Sequence, residues 1–224
     1  MYQPSQSEFL ELTKQGNLIP VTRTILADLE TPLSVYRKIR GQGESFLFES
    51  VEGGEHIGRY SFVGCNPRAV IKQAGNRVEV IEGGKVVESF EIVRTVTPAE
   101  LQKLEINNQA IVDAIREDRE ERTKVIAGEG TYTKTVSDGL ELVERVMKRY
   151  RPVTLPGLPR FTGGAVGFIG YEYIHDVEPV VPRPPHDELN TPTMYFLLAD
   201  ELLIFDRVSQ TLTVLVNAIL DENT

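Results

Sequence analysis

Three short runs of β-forming residues in the stretch 68–90, separated by Gly75-Asn76 and Gly83-Gly84, constrain the fold of this chain most. Glycine and asparagine tolerate the positive φ that two-residue hairpin turns require, so 69–72, 78–81 and 86–89 are predicted to pair as an antiparallel meander. A second strand-turn-strand pattern precedes it. The apolar run Phe46-Leu47-Phe48 ends in Glu49 and Ser50, passes through Glu52-Gly53-Gly54-Glu55, and resumes as Ile57-Gly58-Arg59-Tyr60-Ser61-Phe62-Val63-Gly64. Four or five antiparallel strands are therefore expected between Phe46 and Phe90.

Helices are expected to flank these strands. Residues 7–15 read as a short helix with Ser7 as its cap, Phe9, Leu10 and Leu12 to bury, and Gly16 as its stop. Thr31-Pro32 places a cap and then a proline at the first helical position, followed by Leu33, Tyr36 and Ile39 at helical spacing. Between them, 17–26 is rich in β-branched residues around Pro20, which suits an edge strand because proline cannot donate to a ladder. Thr97-Pro98-Ala99-Glu100 has the capping-box spacing and opens a long, polar, solvated helix. Val136, Leu140, Val143, Met147 and Tyr150 put an apolar stripe on a further helix that Pro152 terminates.

A proline-rich hinge at 155–160 leads into Phe161-Thr162-Gly163-Gly164-Ala165-Val166-Gly167-Phe168-Ile169-Gly170, where glycines within a strand point to close approach by a neighbouring backbone. No Lys-Ser/Thr ending follows, so this is not a phosphate-cradling P-loop. A polar, proline-rich connection over 175–192 precedes a strand over 195–206, a turn near Ser209-Gln210, and a partner strand over 211–220. With antiparallel pairing throughout, the fold class is α+β, and the whole span 1–224 is taken as one domain.

Composition removes several functions. A formal net charge of -9 disfavours nucleic acid, whose phosphates need clustered Lys and Arg. The single Cys65 forms no internal disulfide, and three dispersed histidines offer no metal-ligand spacing; His175 and His186 beside Asp176 and Asp187 read as a solvated loop rather than a metal or acid/base site. The N-terminus lacks a signal-peptide core, and no window approaches the roughly 18 apolar residues of a membrane span, so a cytoplasmic protein without membrane contact is expected. No catalytic residues and no metal site are assigned. The chemically notable pair is Glu49 and Ser50, a carboxylate and a hydroxyl beside apolar positions, which serve either the following turn or a ligand.

Three motifs in order, 46–67, 155–173 and 191–206, resemble the N-terminal region of anthranilate synthase component I, a chorismate-utilising family. The segment 101–130 matches none of its motifs. The resemblance implies the N-terminal, regulatory part of a large subunit that converts chorismate and glutamine-derived ammonia to anthranilate and pyruvate. It places the chorismate and magnesium site in a C-terminal domain beyond Thr224, so this chain alone is expected to be inactive and without a cofactor of its own.

The resemblance also implies that Phe46-Leu47-Phe48-Glu49-Ser50 lines a feedback pocket for L-tryptophan. Ser50 and Glu49 are the proposed contacts with Phe48 and Leu47 beside them, and Arg59, Tyr60 and Pro20 are proposed at the rim. A zwitterionic amino acid needs an acceptor for its ammonium and an apolar slot for its ring, which these residues provide. The implied partner is the glutamine amidotransferase subunit, component II. An isolated half would expose apolar surface and is expected to self-associate. The alternatives are aminodeoxychorismate synthase component I of folate synthesis, a free-standing, non-catalytic amino-acid-binding module, and a docking surface for the amidotransferase.

Overall fold

The computed structural model describes residues 2–41, 43–49, 58–93, 134–178, 181 and 188–220. The helix expected from Thr97 onward, the turn carrying Ser50, and His186 lie outside the described residues. The chain divides into two compact units, one comprising 1–69, 146–166 and 197–224, the other 70–145 and 167–196.

A five-stranded sheet carries the first unit. Its strands are β1 (Leu18–Leu26), β2 (Ser45–Phe48), β3 (Tyr60–Cys65), β10 (Glu201–Asp206) and β11 (Thr211–Ile219), in the order β1-β11-β10-β3-β2. Every pairing in this sheet is antiparallel. β1 is at an edge, where the missing N–H of Pro20 interrupts no second neighbour; Pro20 lies opposite Asn217.

The hairpin read from the sequence forms β2 and β3, with Phe46 opposite Gly64 and Phe48 opposite Phe62. Val63, Phe205 and Leu212 bury against Val35 of helix α2 (Pro32–Ile39), with Leu47, Tyr36 and Ile39 packed around them. Reciprocal hydrogen bonds between Thr31 and Ser34 cap α2 as expected, and burying Val35 contributes about 1.5–3 kcal/mol. Helix α1 (Gln6–Leu12) starts two residues earlier than read. Ser5 rather than Ser7 caps it, because Ser5 exchanges hydrogen bonds with Glu8 in a capping box, and Leu10 is exposed.

The meander forms as read: β4 (Val70–Ala74), β5 (Arg77–Glu82) and β6 (Lys85–Ile92) pair in succession, with Gly75, Gly83 and Gly84 at positive φ in the turns. Together with β7 (Lys134–Val136), β8 (Gly164–Ile169) and β9 (Met194–Ala199) they make a six-stranded sheet in the order β7-β6-β5-β4-β9-β8.

Further expectations differ from the structure. Pairing is not antiparallel throughout, since β7 runs parallel to β6. Val136 therefore belongs to a strand, and helix α3 (Gly139–Met147) begins after it, burying Leu142 and Val146 while Leu140 faces out. The run 195–206 is two strands of different sheets, β9 and β10, joined at Asp200. The run reads as one strand broken only by Asp200 and Glu201, and strand alternation reports which face is buried and not which sheet is joined.

In the second unit the glycine-rich strand packs closely. A Cβ on Gly167 would fall 1.8 Å from the Tyr195 carbonyl oxygen, the close backbone approach that the glycines imply. A short 3-10 turn (Tyr171–Tyr173) and helix α4 (Ile174–Val177) follow β8 where a solvated loop was expected from His175 onward. Asp176 is buried there and accepts a hydrogen bond from the fully buried Gln73 amide. The Tyr173 hydroxyl donates to Asp138 Oδ1 at 3.0 Å. Burial first, and the Asp138 carboxylate second, push the Tyr173 phenol above its ordinary range.

Candidate functional site

Alternation along β3 turns Tyr60, Phe62 and Gly64 to one face of the five-stranded sheet. Phe46 and Phe48 of β2 lie opposite Gly64 and Phe62, with the two phenylalanine ring centroids 5.1 Å apart. Gly64 is required here, since a Cβ would meet Phe46 Cε1 at 2.2 Å. Phe161, just past the proline-rich hinge, sets its ring edge-on to Phe62 at 5.3 Å and 84°. An open cavity of about 470 Å³ results, lined by Leu47, Phe48, Glu49, Tyr60, Phe62 and Phe161. Its volume falls within the roughly 300–1,000 Å³ of small-molecule sites.

Four expected site residues, Leu47, Phe48, Glu49 and Tyr60, thus line one cavity. Arg59 is adjacent to it: its guanidinium sits 5.0 Å from the Tyr60 ring centroid and is held by Asp206 through Nε at 2.9 Å and Nη2 at 2.6 Å. Pro20 is buried on the far edge strand and does not line the cavity. Ser50, the expected principal contact, lies outside the described residues.

Two participants escaped the sequence reading. Phe161 is distant in sequence and preceded by prolines, so no periodicity ties it to β3. Arg207 follows β10 directly, and its Nη2 donates to Glu49 Oε1 at 2.7 Å across 158 positions of chain. The Arg207 backbone N–H donates to the Arg59 carbonyl at 3.0 Å, which fixes where that side chain starts.

The charges at this corner are matched in pairs. Arg59 beside Asp206 holds the Asp206 carboxyl down at about 2, helped by N–H donors from Val208 and Ser209 against the desolvation that opposes it. Glu49, which lines the aromatic cavity, instead pairs with Arg207, which lines a separate pocket with Ala27, Pro32 and Gln210. An aromatic wall with a carboxylate at its mouth can hold a small aromatic amine, since the ring fills the cavity and the carboxylate accepts charge-assisted hydrogen bonds from the ammonium.

Among the described residues no group of three or more His, Cys, Asp or Glu side chains is placed to hold a metal ion. No helix among them is long and apolar enough to cross a membrane.

No protein-family model matches the chain. Curated relatives named anthranilate synthase component 1 do. The chain is 30% identical over 217 residues to that of Acetivibrio thermocellus, covering 97% of this chain and 35% of the relative. It is 33% identical over 209 residues to that of Pseudomonas putida, covering 92% and 33%. With that of a Synechocystis strain it shares 35% identity over 211 residues, 94% of this chain and 33% of the relative. Among solved structures, anthranilate synthase component I from Streptococcus pneumoniae aligns over 88% of this chain and 31% of its own at 20% identity, with a TM-score of 0.39. The chain spans about a third of the length of the curated relatives it matches.

Proposed function

We propose, from a sequence similar over nearly its whole length to part of anthranilate synthase component 1, that this chain is the effector-sensing N-terminal part of an anthranilate synthase large subunit. Such a subunit converts chorismate and ammonia to anthranilate and pyruvate, with the amidotransferase component II supplying ammonia from glutamine. Catalysis and its magnesium belong, in this reading, to the part of the relatives that the chain does not span. The chain by itself has no turnover, and its work is to bind L-tryptophan and pass on that occupancy.

The observation that carries the reading is the convergence of Leu47, Phe48, Glu49 and Tyr60 on one aromatic-lined cavity with a carboxylate at its mouth. An indole stacks on or edges against Phe48, Phe62 and Phe161, and Glu49 accepts from the ammonium. Ser50, the next residue, adds a hydroxyl. Tryptophan bound better by one conformation of the subunit than by another shifts their populations by that difference in affinity and no more.

The test is inhibition of the complete subunit. Ser50→Phe is expected to abolish inhibition by tryptophan while anthranilate formation persists. Inhibition that survives this substitution overturns the reading, and formation of aminodeoxychorismate in place of anthranilate reassigns the pathway.

The chain has no Trp, so added tryptophan is the only indole fluorophore in a binding experiment on this span alone. Binding there is expected only at millimolar ligand, because residues from the rest of the subunit complete the pocket. Saturation at micromolar tryptophan would contradict that.

A further inference from the structure

The six-stranded sheet ends on β8, and among the described residues no strand lies on its outer side. An open edge presents a row of unpaired N–H and C=O groups, which soluble proteins ordinarily protect with charge, proline, shortness or a covering segment. The other sheet edges carry such devices. β1 contains Pro20, and Gln3 exchanges backbone hydrogen bonds with Thr22 along it at 2.9 and 2.7 Å. β2 has four residues and is followed directly by Glu49. β7 has three, and its Lys134 pairs with Glu88 at 2.7 Å.

β8 has none of these protections. It is six residues long, Gly-Ala-Val-Gly-Phe-Ile, and no Asp, Glu, Lys, Arg or Pro occurs between Arg160 and Glu172. Strand alternation turns Phe168 and Ile169 to opposite faces, yet they are 49% and 45% exposed. Phe168 keeps that exposure although its ring stacks on Tyr195 of β9 at 6.2 Å. A helix or sheet laid over one face would shelter only one of the two residues, so exposure of both points to a missing neighbour alongside the strand. Tyr171, just past its end, is 88% exposed.

We propose that β8 is a self-pairing edge, through which two copies of this chain join antiparallel and continue one six-stranded sheet into the other. The occupant is a second copy because the edge is complementary to itself. A two-fold contact sets the same patch on both partners, so a charge on it is brought towards its own like. A chain of net charge -9 repels its copy, whereas antiparallel β8 strands bring only glycine, alanine, valine, phenylalanine and isoleucine together. Cross-strand pairs of aromatic and β-branched side chains stabilise such a contact. The inference does not depend on the tryptophan reading, and it locates the self-association expected from the sequence.

One pair of short strands buries less than a standard interface, so a dissociation constant on the order of 10–100 µM is expected. Sedimentation equilibrium of the chain, with hydrogen exchange read by mass spectrometry at about 2 and about 200 µM, tests it. The expected result is a monomer at the lower concentration and a dimer at the higher, where the amides of 167–169 exchange more slowly. Ile169→Lys is expected to weaken dimerisation at least about tenfold with an unchanged far-ultraviolet circular dichroism spectrum. Val87→Lys, which puts the same charge on a half-exposed residue of β6, is expected to leave the dimer intact.

A chain that stays monomeric at the higher concentration overturns the proposal. So does a dimer weakened as much by Val87→Lys as by Ile169→Lys, because the contact then lies elsewhere. Amides of 167–169 protected equally at both concentrations mean that the edge is covered within one chain, which overturns it too. Protection of the same amides in a monomeric complete subunit assigns the edge to a strand from the rest of that polypeptide and overturns self-pairing as its use. Should Ile169→Lys fail to fold, the exchange of wild type at the two concentrations decides.

Discussion

Glu49 in the first unit and Asp176 in the second are both carboxylates paired with a side chain distant in sequence, and the fold treats them in opposite ways. Asp176 is 5% exposed, and its partner Gln73 is fully buried. Glu49 meets Arg207 at the surface, each side chain about a third exposed or more. A buried acceptor must keep its partner, because a donor left unpaired in the interior carries its full desolvation cost. A surface pair carries little of that cost, so it can exchange a protein partner for a ligand group. The second arrangement suits recognition and the first suits architecture.

The largest expected effect tests the buried half of this contrast. Asp176→Ala leaves the Gln73 amide without that acceptor and opens a small void, and a stability loss of roughly 2–4 kcal/mol is expected in urea denaturation. Asp176→Asn, which retains an acceptor oxygen of similar shape, is expected to recover more than half of it. A loss below about 0.5 kcal/mol for the alanine variant would place Asp176 in the same class as Glu49 and dissolve the distinction.

The two carboxylates also differ in how legible they are in the sequence. Glu49 stands at the end of an alternating apolar run, where a charge is conspicuous, and the strand pattern puts it beside Phe48 whatever the tertiary fold. Asp176 follows a histidine and precedes a proline-rich stretch, which reads as a loop. What buries it is Gln73, a polar residue on a β4 face that pattern reading assigns to apolar side chains.

The hairpins, the Thr31 cap and the edge position of Pro20 were legible because each rests on local backbone chemistry. Arg207 and Phe161 were not, since only the pairing of β10 with β3 and the path beyond the hinge at 155–160 carry them to Glu49 and Phe62. The division of 195–206 between two sheets was hidden for the same reason: non-local pairing leaves no local signal.

An intermediate case sharpens the comparison. Asp206 is 14% exposed in its side chain and Arg59 is 42% exposed, so their pair is half enclosed. The Arg59 guanidinium lowers the Asp206 carboxyl from 3.8 to about 2. A depressed carboxylate adds stability that is fully present above the unfolded value and lost as pH falls through the folded one.

The deficit of Asp206→Asn relative to wild type is therefore expected to be full above about pH 4 and to shrink towards zero as pH approaches 2. Solvent screening at Arg59 discounts the shift to about 1 kcal/mol. Urea titrations of both proteins at pH 7, 4 and 2.5 measure it. A deficit that is constant across this range would mean that it does not come from the ionised carboxylate and would overturn the ion-pair account.

The smallest effect is expected at Glu49. Its pair with Arg207 is open to water on both sides, so Glu49→Ala is expected to change stability by no more than about 0.5 kcal/mol. A double-mutant cycle with Arg207→Ala should return a coupling of the same small size. A coupling above about 1.5 kcal/mol would mean that the pair clasps β2 to the turn after β10. A ligand would then have to break that clasp, and the lost coupling would subtract from its affinity. A pair that contributes little to the fold is one whose donors and acceptors remain available to a ligand group.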